Sequence, residues 1–359
     1  MKLLRFGLGI FVVLGISACS GDFQKAEKLY QKSQPQLQQA GMLADPLGEA
    51  IEILEDYLSR NPDEPRATLL LWRCYLQAGH PRAQAMGENM RQMAAPMRYV
   101  FPEEIPREPD EHVREQMVYL FGEIAAPHDA TALIALLEKE PSIKVQSAIA
   151  GILAQINAET AAPALLRKLT ERETGVRLYV CRTLAAFPQP QVHAALLARV
   201  EDAEEAPEVR QQAAQSVAQI YQTSFSGKDS LQQQLEARLQ DSSRPVSTRL
   251  LIALILSAFG QNSSSGLAMM HAESDDPFLR GLAILTLGYI GDNTALPYLT
   301  DALEFGNKAL RLQAAEALGR LGNTKALPSL YKALDDPSDA VRAAANQSIT
   351  RIKGHGANG

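Results

Sequence analysis

"DPFLRGLAILTLGYIGD" occupies Asp276–Asp292, and "NKALRLQAAEALGRLGN" occupies Asn307–Asn323. A third version, "SDAVRAAANQSITRI", ends at Ile352. Each is a β-branched residue or leucine, then a basic residue, then an Ala/Leu-rich helical run that often ends Leu-Gly. The basic position falls at Arg114, Arg177, Arg210, Arg249, Arg280, Arg311 and Arg342, with Gln146 in the same slot. The successive intervals are 32, 31, 33, 39, 31, 31 and 31 residues. Self-similarity at this period is the signature of a stacked helical array. One helix pair cannot bury enough apolar surface to offset its ordering entropy, so such a phrase is stable only when stacked on copies of itself. A second helix sits between copies, clearest in "ALPYLTDALEF" and "ALPSLYKALDD". There Pro297 and Pro328 fall in the first turn, where a missing N–H costs nothing.

These residues resemble HEAT repeats of the short bacterial kind, also found in phycobilin lyases. "VRAAA" at Val341–Ala345 and "LQAAEALGRLG" at Leu312–Gly322 match best. The resemblance covers Asp110–Ile352 and implies an all-α fold, an α-α superhelix of about eight helix pairs. Fold resemblance of this kind says little about activity.

Upstream, "AIEILEDYLSRNPDEPRATLLLWRCYLQAGH" (Ala50–His80) reads as a helix with apolar spacing at Ile51, Leu54 and Leu58, an Asn-Pro stop, and a second helix ending at Gly79. It resembles the tetratricopeptide repeat, with Ala50, Leu54, Tyr57 and Pro62 at one repeat's spacing and Leu71, Tyr75 and Gly79 at the next. Trp72 departs from that pattern, which wants a small residue. The four prolines of "AAPMRYVFPEEIPREPD" (Ala94–Asp110) predict a break between modules. The expected organisation is a helical module over 19–93, a Pro-rich linker over 94–110, the repeat array over 111–352 and a disordered tail over 353–359.

The chain opens "MKLLRFGLGIFVVLGISAC", with Lys2 and Arg5 before an apolar run, Phe6–Ile16, too short to span a bilayer. Residues 1–18 therefore read as a secretory signal. Ile16-Ser17-Ala18-Cys19 resembles the bacterial lipobox, which implies cleavage before Cys19 and its lipidation and N-acylation. Several acyl chains on one terminus anchor stably. In Gram-negative lipoproteins an Asp after the Cys signals inner-membrane retention. Ser20 stands there instead, which points to the periplasmic face of the outer membrane. Loss of Lys2 and Arg5 takes the net charge from −6 to −8. An acidic chain without a basic run is not expected to bind nucleic acid. Cys74 and Cys181, in separate helical patterns, are expected to be buried free thiols.

The six histidines show no metal-ligand spacing, and no phosphate loop or nucleophile motif appears. No cofactor or metal is expected. The recurring arginine is expected to tie down the loop between its helices, pairing with a nearby acid such as Asp276 before Arg280 or Asp336 before Arg342. On the helix after Arg311, Gln313, Glu316 and Arg320 lie opposite the core-facing Leu312, Ala315 and Leu318. Sliding this template along the array gives polar or mixed sets: Gln116, Tyr119, Glu123; Gln212, Gln215, Gln219; Ala344, Gln347, Arg351. Two neighbouring copies instead give Leu251, Leu254, Ala258 and Leu282, Leu285, Tyr289. Such a patch suits a docked amphipathic helix or apolar peptide. The same residues suit core covered by the chain itself, for which the insertion at Ser224–Gln234 offers a cover. The expected function is a membrane-anchored scaffold or adaptor that binds another envelope protein through the array's concave face. The alternative is an enzyme or enzyme subunit resembling the repeat-containing lyases.

Overall fold

In the computed structural model the described residues are 20–33, 45–222, 228–260 and 265–356, and every element among them is helical. The chain divides into two compact units, one up to Ala158 and one from Glu159.

The first unit begins with α1 (Ser20–Lys32), α2 (Pro46–Arg60), α3 (Pro65–Gln77) and α4 (Arg82–Gln92). Pro46 opens α2 behind Asp45, whose side chain accepts the Gly48 N–H. Past α3, Gly79 takes φ +62°, where an L side chain would be strained. Ala26 and Tyr30 of α1, Leu54 and Tyr57 of α2, and Leu71 and Cys74 of α3 form one apolar core. Trp72, too large for the tetratricopeptide position it occupies, is buried as well.

The expected linker is not one. Residues 94–104 form α5 (Ala94–Glu104), followed by a 3-10 turn over Ile105–Arg107. Met97, Val100, Phe101 and Ile105 are buried, and the Phe101 ring stacks on Phe121 at 5.7 Å. Pro96 sits in the first turn and Pro102 in the last, so only Pro102 removes a helical hydrogen bond. Burying four large apolar side chains at about 1.5–3 kcal/mol each outweighs that loss. The unit continues through α6 (Glu111–Ile124), α7 (Ala130–Lys139) and α8 (Ile143–Gln155). The compact division therefore falls after Ala158 and not within 94–110.

The second unit contains α9 (Ala162–Lys168), α10 (Thr174–Leu184), α11 (Pro190–Glu201), α12 (Pro207–Gln222), α13 (Lys228–Gln240), α14 (Val246–Ser257), α15 (Ser265–His271), α16 (Pro277–Ile290), α17 (Leu296–Phe305), α18 (Lys308–Leu321), α19 (Leu327–Lys332) and α20 (Asp339–Gly356). The phrase-bearing helices pack one on the next, α10 on α12, then α14, α16, α18 and α20. Pro297 and Pro328 sit in the first turns of α17 and α19, as their spacing predicts. Among the described residues eight helices carry the phrase, and seven of them are followed by a second helix.

The glycines of the phrase have two separate jobs. Gly291 and Gly322 end α16 and α18 in the left-handed conformation, both at φ +70°. Gly288 and Gly319 let neighbouring helices close up. A Cβ on Gly288 would stand 2.7 Å from the Ala317 Cα, and one on Gly319 would stand 2.7 Å from the Ser348 Cβ. Of the tail expected over 353–359, residues 353–356 belong to α20, and 357–359 lie outside the described residues.

Candidate functional site

The structure redraws the arginine positions. In the first unit Arg114 sends Nε and Nη2 to the Glu140 carboxylate at 3.1–3.3 Å and Nη1 to the Glu108 and Pro109 carbonyls. Gln146 donates its amide to the Glu140 carbonyl at 2.6 Å. In the second unit Arg177 holds Glu205 through Nε and Nη2 at 2.8–3.1 Å and donates Nη1 to the Glu171 and Arg172 carbonyls. Arg311 repeats this with Asp336 and the Gly306 carbonyl. Each arginine thus fixes the loop before it and grips an acid that opens the next repeat. That acid caps the backbone in turn: Glu140 receives Ser142 N–H, Glu205 receives Ala206 N–H and Asp336 receives Ser338 N–H.

The two named pairings differ from expectation. Asp276 caps α16, receiving the Phe278 and Leu279 N–H groups, while Arg280 reaches Asp301 at 3.3 Å. Asp336 gives its carboxylate to Arg311 and only its carbonyl to Arg342, whose Nη2 meets Asp339. Two further arginines donate to neutral oxygens instead: Arg210 to the Val200 carbonyl and Thr248 hydroxyl, and Arg249 to the Leu239 carbonyl. Burial lowers the Arg210 guanidinium pKa, against an opposing pull from Asp202.

One member of this network is absent from the periodic pattern. Arg73, on α3, is buried with Nε 2.7 Å from Glu108, which also receives the Tyr30 hydroxyl at 2.9 Å and the Asp110 N–H. The Arg73 guanidinium lies 4.6 Å from the Tyr30 ring centroid. Glu108 precedes Arg114 as Glu140 precedes Gln146, as Glu205 precedes Arg210 and as Asp336 precedes Arg342, by five or six residues. That acid-to-basic spacing is the signal that would have revealed the forward pairing.

Of the two readings of the leucine patch, docking surface and covered core, the structure bears out core. Leu251, Leu254, Leu282 and Leu285 are each 2 % exposed or less. Leu250–Leu256 is buried at every position, and so is Gly281–Gly288. The cause is in the sequences of α14 and α16, which are apolar all round, and such helices belong inside a fold. α14 packs against α11, α12, α13, α15 and α16, leaving no open side for a one-sided template to describe. Only Ala258 and Tyr289 of the six stay half-exposed, Tyr289 beneath the Arg320 guanidinium at 4.6 Å.

The polar template fares better. Gln219, Glu316, Gln347 and Arg351 are exposed and Gln212, Gln215, Gln313 and Arg320 half-exposed, whereas Ala344 is buried. Gln116 is half-exposed and Tyr119 and Glu123 are exposed. Of these positions Arg320 and Arg351 line an open cleft of about 670 Å³ at the C-terminal ends of α16 and α18. Gln222, Tyr289, Arg320, Leu321 and Arg351 line it together with Gly288, Gly291, Gly319 and Gly322. Arg320 Nη2 meets Glu316 at 3.3 Å, while its Nη1 is shielded from solvent with no hydrogen-bond partner.

Cys74 and Cys181 are buried free thiols, each pushed up to about 12 by burial. Among the described residues no group of three or more His, Cys, Asp or Glu comes together in a way that could hold a metal ion. Cys19 lies outside the described residues. No described helix is long and apolar enough to cross a membrane.

Comparison with known proteins agrees with this architecture. The profile of HEAT repeats matches residues 130–218, 165–255 and 264–350, together more than half of the chain. Human deoxyhypusine hydroxylase is similar in structure at 20% identity and TM-score 0.38, over 76% of this chain and 99% of that one. The CpcE–CpcF phycocyanin lyase complex of Nostoc sp. gives 16% identity and TM-score 0.40, over 71% and 94%. The karyopherin Kap121p bound to Pho4p gives 14% identity and TM-score 0.43, over 93% and 40%. No curated protein matches in sequence.

Proposed function

The chain belongs to the HEAT-repeat family, and from that premise we propose that it is a binding protein and not an enzyme: a membrane-anchored scaffold or adaptor lipoprotein. It is held by acyl chains on Cys19 at the periplasmic face of the outer membrane and carries a binding face for another envelope protein. The observation that supports the binding role is the contrast within the second unit. The apolar positions of the repeated face are closed into core, while Gln219, Glu316, Gln347 and Arg351 stay exposed, and Arg351 lines an open cleft. A partner is then recognised by polar and charged groups that set orientation, with the Tyr289 ring as an aromatic contact. The anchor follows from the Ile16–Cys19 motif and Ser20.

Metabolic labelling with palmitate and membrane fractionation test the anchoring. The labelled chain is expected in the outer-membrane fraction, and Cys19→Ser is expected to abolish the label and release the protein. An unlabelled wild-type chain contradicts the anchor. Affinity purification after cross-linking tests the binding role, with an envelope protein expected from the wild type and its yield reduced by Gln347→Lys and Glu316→Lys.

A further inference from the structure

Tyr289, Arg320 and Arg351 occupy the same position of three successive phrases, 31 residues apart. The structure turns that spacing into one wall of the cleft at the ends of α16 and α18. The Arg320 guanidinium lies on the Tyr289 ring at 4.6 Å, which fixes its plane. One edge is engaged, through Nη2 to Glu316 at 3.3 Å. Nη1 is out of solvent and unpartnered, an arrangement that costs free energy until an acceptor arrives. Arg351 brings a second cation to the same cleft, and none of the described residues lining it is acidic. This is a locally basic recess in a chain of net charge −6.

The backbone of the recess complements that charge. Gly291 and Gly322 end their helices here, so carbonyls of the last turns of α16 and α18 lie at its edge and can accept N–H donors. A free inorganic anion could use the Arg320 guanidinium but would face those carbonyls. A peptide uses both, placing a carboxylate on Arg320 and its own N–H groups on the carbonyls. From this we infer that the cleft binds an acidic segment of a partner protein, whose Asp or Glu carboxylate pairs with Arg320 Nη1. The inference rests on the proposed binding role and names the chemistry of the partner. The Tyr289 ring holds the guanidinium in place, and Gln222 lines the cleft as a neutral donor and acceptor.

The test exposes the full chain, immobilised, to a displayed library of random dodecapeptides, in parallel with Arg320→Gln and the double variant Arg320→Gln/Arg351→Gln. Thermal melts matching the wild type show that the variants fold. Peptides retained by the wild type are expected to be enriched in Asp and Glu over the unselected library. A synthetic copy of a retained peptide is expected to bind Arg320→Gln about 10- to 100-fold more weakly, the loss of one charge-assisted bond. Arg320→Lys keeps the charge without the planar fork and is expected to fall between them. Retained peptides without acidic enrichment, or equal affinity for wild type and Arg320→Gln, overturn the carboxylate assignment and leave the binding role standing. Retention of no peptide by any form overturns both.

Discussion

The Arg311 guanidinium meets the Asp336 carboxylate two-pronged, with Nε 2.6 Å from Oδ2 and Nη2 3.0 Å from Oδ1. Twenty-five residues separate them, so the pair ties one repeat to the next. Arg311 is the main cause that holds the Asp336 carboxyl below the usual carboxylate range, against a smaller upward push from burial, with help from the Ser338 N–H. A carboxylate with a depressed folded pKa contributes stability that is present above its unfolded value, near 3.9, and is lost as pH falls through the folded value. The wild type is therefore expected to lose stability to urea as pH falls below about 4, and the Asp336→Asn variant to lose less. Parallel pH profiles for the two proteins would remove this pair from the account.

The leucines of α14 and α16 are core, so truncating them acts on stability. Leu254→Ala and Leu285→Ala are each expected to cost about 2–5 kcal/mol in chemical unfolding, transfer and cavity terms together. A cost below about 1 kcal/mol for either would mean that its site is open to water.

Glycine substitutions should split by position. Gly319→Ala forces a Cβ to 2.7 Å from the Ser348 Cβ and 3.0 Å from its Cα, so α18 and α20 must move apart. It is expected to destabilise by about 1–3 kcal/mol, as overpacking does. Gly151 on α8 has nothing within 4 Å of the same construction, and Gly151→Ala is expected to stabilise by about 0.5–1 kcal/mol through helix propensity. Melting both variants beside the wild type checks the contrast.

Burial raises the Cys74 and Cys181 thiols to about 12, so thiolate is scarce at pH 8. Iodoacetamide at that pH is expected to leave both peptides unmodified in the folded protein and to alkylate both in urea. Rapid native labelling of Cys181 would contradict its place inside α10.

Arg73 joins the first unit's helices to the loop before its repeats. Arg73→Leu leaves the Glu108 carboxylate buried with only Tyr30 and a backbone N–H, and is expected to cost about 3–5 kcal/mol. The double variant Arg73→Leu/Glu108→Gln should recover part of that loss. No recovery would mean that the pair is not coupled.

The array was legible because its signal is periodic: the arginine slots, Pro297, Pro328 and the Leu-Gly endings recur at one interval, and each copy repeats the same local physics. The prolines of 94–110 suggest a break, but the apolar positions Met97, Val100 and Phe101 carry the segment, and the fold uses them to bury a helix. The leucine patch follows the same logic. A face template taken from the amphipathic α18 does not transfer to α14 and α16, which have no polar face to orient it. The forward partners Glu140, Glu205 and Asp336 lie in loops whose pairing only the fold brings together. Arg320 over Tyr289 was visible as a 31-residue spacing but not as a stack.

The most direct measurement places a photo-crosslinking amino acid at Gln347 or Gln212 in the membrane-anchored protein, with Leu285 as the buried control, and identifies the products by mass spectrometry. The account predicts that Gln347 and Gln212 capture the same envelope protein and that Leu285 links only within its own chain. Capture of a partner at Leu285, with none at the polar positions, would contradict it.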